Sequence, residues 1–338
     1  MHEVLTVELA RQLPKAELHI HLDSAFEVDD IVRIAEENGV PLLREASQLL
    51  EWENLQDFLT FLDWALSLPA NRDQVASLAY SVAQRQKRSG VCYTEMMVSP
   101  VHWTGYTARL ANFVEDLDYG LASAESDGCP PVNLSISLSR GNSQEEAQAI
   151  LDVLLEMQHP RVVALSIDGN EALSGRTGER FAPVFERAAA NGLGVTVHAG
   201  ESSGPEGVWD AIDLLKTQRV DHGVRSVEDP KLVQELIRRG TTLNVCPYSN
   251  ILMGFYPDRE SHPVGQLVEM GVRVTINTDG PGFFQINLED EYVAAAKTYG
   301  WGPSVIRKIA RTSVEASFCP EPLKGELLAE IDAFPLPV

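Results

Sequence analysis

Short apolar runs rich in β-branched residues recur along the chain and set its plan. They read AELHIHL from Ala16, GVCYTEMMV from Gly90, VNLSISL from Val132 and VVALSI from Val162. GVTVH from Gly194, RVDHG from Arg219, TTLNVC from Thr241 and VRVTINT from Val272 follow. Several are apolar almost throughout instead of alternating, as expected of parallel strands buried on both faces. The segments between them carry a helical period. In DPKLVQELIRRG, Leu232, Val233, Leu236 and Ile237 share one face, and Gly240 stands as a C-terminal stop. Val208, Ile212 and Leu215 repeat the pattern after HAGE. Eight strand–helix alternations predict an α/β fold, a (β/α)8 TIM barrel. A doubly wound sheet is the rival, but the turn after the first strand reads HLDSAF where that fold often carries a glycine-rich phosphate loop.

The spacing predicts a longer helical insertion after the first strand, over 28–90. Its segment WENLQDFLTFLDWAL crowds Leu55, Phe58, Leu59, Phe61, Leu62 and Trp64 together. An amphipathic helix packed on the barrel explains the crowding. An apolar lid over the barrel mouth, with Phe58, Leu59 and Leu62 against a substrate, explains it too. No linker-like stretch interrupts the chain, so 1–338 is expected to form one domain.

Composition narrows the partners. The chain has 338 residues, 44% of them apolar and 22% charged, a globular balance. Lys and Arg number 27 against 49 Asp and Glu, a net charge of −22 that repels phosphate backbones and anionic lipids. No nucleic acid or membrane is expected as partner, and a small molecule is. Oligomeric state stays open. Cys92, Cys129, Cys246 and Cys319 show no C-x-x-C spacing, and Cys92 and Cys246 sit in apolar runs as buried thiols do. The opening MHEVLTVELARQLPK lacks a basic-then-apolar secretion pattern, so the expected location is the cytoplasm.

The candidate chemistry lies at strand ends. His19 and His21 flank Ile20, so both imidazoles project to one side of the strand. His198 ends the fifth run, His222 the sixth, and Asp279 follows the eighth. Active sites of (β/α)8 barrels lie at that C-terminal rim. Three imidazoles, with or without a carboxylate, suit zinc and leave a position open for water. Glu201, three residues past His198, would reach a substrate beside the metal, and partial desolvation would fit it to donate a proton. Asp221 is read as structural. So are His102, His262, His2 and His159, in turns or near the terminus.

These segments resemble the adenosine deaminase family of the amidohydrolase superfamily. PKAELHIHLDSA is similar to the family's opening motif, and HAGESSGPEGVWDAI, RVDHGV, NVCPYSN and TINTDGP to its later ones, in the same order. The resemblance implies that His19, His21, His198 and Asp279 hold one Zn²⁺ per chain. It implies that Asp279 also takes a proton from water, His222 stabilises the forming hydroxide, and Glu201 protonates the ring nitrogen beside the attacked carbon. Asp23 matches the position that bonds a ribose 5′-hydroxyl, and Gly169 the one whose N–H meets purine N3. The chain departs from the family at Gly280, where an aspartate usually bonds purine N7, and at Ser24, where glycine is usual. One lost hydrogen bond costs ~0.5–1.5 kcal/mol, which weakens adenosine as substrate without eliminating it. Gly280 is also expected to open room near the purine.

The expected activity is zinc-dependent hydrolytic deamination of adenosine or deoxyadenosine. The alternative keeps the chemistry with another 6-aminopurine: aminodeoxyfutalosine, adenine or an N6-substituted adenine. A non-catalytic binding protein on the same fold would tolerate erosion of the metal and proton-transfer residues, and all are present. The cytidine-deaminase type of zinc site is excluded, since its H-x-E and P-C-x-x-C pattern is absent.

Overall fold

The computed structural model describes residues 5–52 and 55–336, with the side chains of Leu55 and Gln56 outside the description. His2 also lies outside the described residues. Every apolar run becomes a parallel strand: β1 Ala16–His21, β2 Tyr93–Val98, β3 Val132–Ser139, β4 Val162–Asp168, β5 Gly194–Val195, β6 His198–Ala199, β7 Arg219–His222, β8 Thr242–Val245 and β9 Arg273–Ile276. β5 and β6 are two halves of one stave, parted at Thr196 and Val197. The staves form a five-stranded sheet, β1 to β5, and a four-stranded sheet, β6 to β9. A parallel bridge from Ile20 to Asp279 brings the chain's last stave back to its first. That closure makes the (β/α)8 barrel and removes the doubly wound alternative.

Burial on both faces explains the apolar runs. Leu18, Ile20, Leu134, Ile136, Leu165, Ile167, Val245 and Ile276 have no solvent exposure. A group of polar residues inside the barrel pair with one another. Asp221, fully buried, accepts from Asn244 Nδ2 at 2.8 Å and Thr196 Oγ1 at 2.7 Å. The helices start and stop where their caps dictate. In Pro230–Arg239, Asp229 accepts from the Lys231 N–H at 2.9 Å, and Gly240 closes the helix at φ 69°.

Between β1 and β2 lie helices Val28–Asn38, Leu55–Ser67 and Arg72–Arg88. Phe61 and Phe58 of Leu55–Ser67 turn inward onto the short helix Pro281–Phe284, with ring centroids 5.0 Å from Phe283 and 5.8 Å from Phe284. Leu59 remains exposed. The helix is therefore packed on the barrel by one face, while Phe58, Leu59 and Leu62 line the cavity at its mouth.

Candidate active site

Four imidazoles converge at the C-terminal rim. The His19 ring centroid lies 5.4 Å from His21, 4.7 Å from His198 and 4.5 Å from His222. Backbone carbonyls fix two of the rings: His19 Nδ1 lies 3.1 Å from the Asn244 oxygen, and His198 Nδ1 3.0 Å from that of Ile167. A carbonyl only accepts, so each Nδ1 carries the proton and each Nε2 presents a lone pair to the centre. Burial pushes the pKa values of His19, His198 and His222 down, and neighbouring imidazoles add to this at His198 and His222. The neutral rings are in the form that binds metal.

The cluster fits a divalent cation. His21 Nε2 and His198 Nε2 stand 3.0 Å apart. Buried His19 Nε2 has no hydrogen-bond partner. Asp279 Oδ1 lies 3.4 Å from His21 Nε2 and 3.8 Å from His19 Nε2. Two ligand atoms ~2.1 Å from one tetrahedral zinc stand about 3.4 Å apart, close to these spacings. Asp279 (φ 67°) and His222 (φ 66°) hold left-handed backbone conformations that non-glycine residues rarely adopt. Ser249 Oγ donates to Asp279 Oδ2 at 2.5 Å. Cys246 belongs to a second possible ligand group with His19, His222 and Asp279, but burial and the nearby carboxylates push its thiol pKa well up.

Glu201 stands beside this cluster. Its Oε1 lies 3.0 Å from Asn250 Nδ2 and 3.3 Å from His222 Nε2. Desolvation, reinforced by the charges of Asp279 and Glu171, raises its pKa well above the carboxylate range. The loop carrying it is pinned from behind, because Glu171 accepts the N–H groups of Gly200 at 3.0 Å and Glu201 at 2.8 Å. Arg140 completes this support. It donates to the carbonyls of His198 and, at 3.0 Å, Gly169. Gly169 takes φ 103°, which favours glycine.

These groups open on a cavity of about 330 Å³. Its walls include Phe58, Leu62, Met253, Phe255 and Phe284 on the apolar side, and Asp23, Ser24, Asp168, Gly169 and Glu201 on the polar side. Among the described lining residues there is no lysine or arginine. Asp23 is almost fully buried and already engaged: Trp103 Nε1 donates to Oδ1 at 2.7 Å, and His102 Nδ1 stands 3.1 Å from Oδ2. Burial works to lower the His102 pKa, but the hydrogen bond and charge of Asp23 carry it up to about 9. His102, expected to be a bystander, thus lines the cavity as a cation paired with Asp23. The room expected at Gly280 is filled. A Cβ there would stand 2.5 Å from Ser24 Oγ and 3.1 Å from the Phe284 ring, so the two departures from the family pattern, Ser24 and Gly280, fit each other.

His262 also lies nearer the site than expected, buried and 3.1 Å from Asn250 Oδ1. Arg140, Glu171, Asn250 and Ser249 were not singled out in the sequence. Ser249 and Asn250 stand inside the NVCPYSN motif, and Glu171 closes SIDGNE two residues past Gly169.

A closed parallel barrel with imidazoles and a carboxylate gathered at its C-terminal rim is the architecture of a metal-dependent amidohydrolase. The chain belongs to the adenosine deaminase family, whose model matches residues 14–334. It is 33% identical to an adenine deaminase of Agrobacterium fabrum over 96% of this chain and 99% of the relative. It is 35% identical to an adenine deaminase of Acinetobacter baylyi over 96% and 98%. Among solved structures, an adenine deaminase from Arthrobacter aurescens superposes with a TM-score of 0.87 at 28% identity, covering 94% of this chain and 98% of that one. An amidohydrolase from Burkholderia ambifaria with bound Zn gives 0.87 at 26% identity, covering 97% and 93%.

Proposed function

We propose that this protein is a zinc-dependent aminohydrolase that converts adenine to its 6-oxopurine, hypoxanthine, with release of ammonia. The observation that carries the chemistry is the placing of Glu201, whose carboxyl stands 3.3 Å from His222 beside the imidazole–carboxylate cluster, where burial pushes its pKa well up. His19, His21, His198 and Asp279 would hold one zinc ion, whose Lewis acidity lowers the pKa of water from ~15.7 to ~7. Glu201 donates its proton to N1 of the purine, which withdraws electrons from C6. Asp279 accepts a proton from the attacking water, and His222 hydrogen-bonds the oxygen as it adds to C6. The C6–O bond forms, the C6–N6 bond breaks, and the amino group leaves as ammonia with the protons passed through these carboxyl groups. Phe58, Leu59 and Leu62 bear on the ring from the helix over the mouth. In this reading the chain works as one domain, its 28–90 helices serving as a lid.

The free base is favoured over the nucleoside because Asp23, the group expected to bond a ribose hydroxyl, is buried and already held by Trp103 on one oxygen and His102 on the other. The adenine deaminases among the relatives support the same choice. A 5′-phosphate is disfavoured by a lining without lysine or arginine and with several carboxylates. The Gly169 N–H and the Ser24 hydroxyl remain to read the ring edge. A cytoplasmic location accords with four unpaired cysteines. Ammonia release from adenine, adenosine, deoxyadenosine, aminodeoxyfutalosine and N6-methyladenine tests the reading. Adenine is expected to give the highest kcat/KM, with loss on chelation. Faster turnover of adenosine would return the assignment to the nucleoside, and no turnover of any would sink it.

A further inference from the structure

Behind Glu201 and His222 runs a buried hydrogen-bond chain whose direction is set by the backbone. The Val264 N–H donates to His262 Nδ1 at 3.3 Å. An amide N–H cannot accept, so Nδ1 is the lone-pair nitrogen and the neutral ring carries its proton on Nε2. That Nε2–H faces Asn250 Oδ1 at 3.1 Å. The amide is thereby oriented, oxygen toward His262 and NH2 toward the cavity. Its two hydrogens have two acceptors: Glu201 Oε1 at 3.0 Å and His222 Nδ1 at 3.2 Å. His262, Asn250 and His222 are at most 2% exposed, so bulk water has no access to replace these bonds.

We propose that Asn250 and His262 are positioning residues that lock His222 in the tautomer with its proton on Nε2. The inference rests on the deaminase reading for its catalytic consequence, though not for the tautomer itself. His222 can then donate a hydrogen bond toward the cavity and cannot coordinate metal through Nε2. With its Nδ1 lone pair engaged by Asn250 as well, His222 offers no free nitrogen to a cation, which favours His19–His21–His198 over the group that includes His222 among the described residues. The chain also assigns atoms on Glu201. Oε1 accepts from Asn250 and faces the His222 N–H at 3.3 Å, so the proton the carboxyl donates is carried on Oε2.

Nitrogen-15 NMR of the histidine rings in the wild-type protein, with zinc and after chelation, tests this directly. His222 is assigned through the signals lost in H222N. A proton on His222 Nε2 in both states is expected, and a proton on Nδ1 overturns the proposal whether or not any substrate turns over. The variants N250D, H262Q and H262L supply the kinetic arm. An aspartate at 250 would accept from Nδ1–H instead of donating to it, so N250D is expected to flip the His222 signal and lower kcat by about 10²-fold or more, with zinc content and Tm retained. H262Q keeps an N–H donor for Asn250 and is expected to preserve most of kcat, while H262L loses it. Equal kcat in H262Q and H262L, or an unflipped ring in N250D, would refute the positioning role. Should N250D not fold, the wild-type spectrum and the His262 pair still decide. Absence of deamination in a wild-type protein showing the expected tautomer would strike the function reading alone.

Discussion

The Glu201 pKa is pushed up because ionising it would place a charge in desolvated surroundings beside the carboxylates of Asp279 and Glu171. A donor of this kind is lost as pH rises through its raised pKa, so kcat should fall on the alkaline side. Stability follows the same sign. The folded chain keeps the proton at pH values where the unfolded chain has released it, so the residue's contribution to stability declines as pH climbs from the ordinary carboxyl range to the raised value. Gln at 201 has neither the proton to give nor the charge to accommodate. E201Q is expected to lose about 10²-fold or more in kcat, keep its zinc, and gain in Tm relative to wild type as pH rises. Rates and melting curves from pH 5 to 9 check both halves, and an active variant removes Glu201 from the mechanism. At this scale the sequence exposed the groups whose place along the chain gives them meaning: His19, His21, His198, His222 and Asp279 each stand in or just past one of the apolar runs. It hid Arg140, Glu171 and His102, because their roles arise only when segments distant in sequence meet, as when Arg140 reaches the carbonyls of Gly169 and His198.

The strands were legible for a simple reason. Burial on both faces leaves little besides apolar residues, and such runs are conspicuous between helical segments. The division of the fifth stave at Thr196 and Val197 had no such signal, since GVTVH reads as one unbroken run. The helix Leu55–Ser67 was legible as an amphipathic element, but which of its residues face the barrel depends on the rings waiting there. Phe61 has no solvent exposure and packs 5.0 Å from Phe283, centroid to centroid, whereas Leu59 is 41% exposed at the cavity rim. Phe61→Ala should therefore cost ~3–5 kcal/mol in denaturant unfolding. Leu59→Ala should stay within about 0.5 kcal/mol and instead raise KM. If both variants were equally destabilised, the helix would be a packing element on both faces and no part of the substrate's enclosure.

Across the whole molecule, the contacts that favour adenine over adenosine in the proposed function are not legible in the sequence. Asp23 sits where a ribose-binding carboxylate is expected, and only the fold shows that Trp103 and His102 occupy it. The barrel itself raises a larger question of what holds its two sheets in register. They meet at two seams, and the proposed ligands straddle both. His19 and His21 on β1 face Asp279 beyond β9, where His21 N–H donates to the Asp279 carbonyl at 2.7 Å and Asp279 N–H to that of His19 at 3.1 Å. His198 opens β6 at the other seam and is tied to β4 through the Ile167 carbonyl. A cation held by all four residues would stitch the five-stranded sheet to the four-stranded one. Binding at 100 times its dissociation constant stabilises the folded state by ~2.7 kcal/mol, so chelation should lower Tm by about 4 °C. The loss should also be local. Amide hydrogen exchange is expected to accelerate first at His21 and Asp279, while interior amides of β3 and β8, which have paired strands on both sides, keep their protection. Uniform acceleration across all nine strands would show instead that the cation stabilises the barrel as a single cooperative unit, with no special hold on its seams.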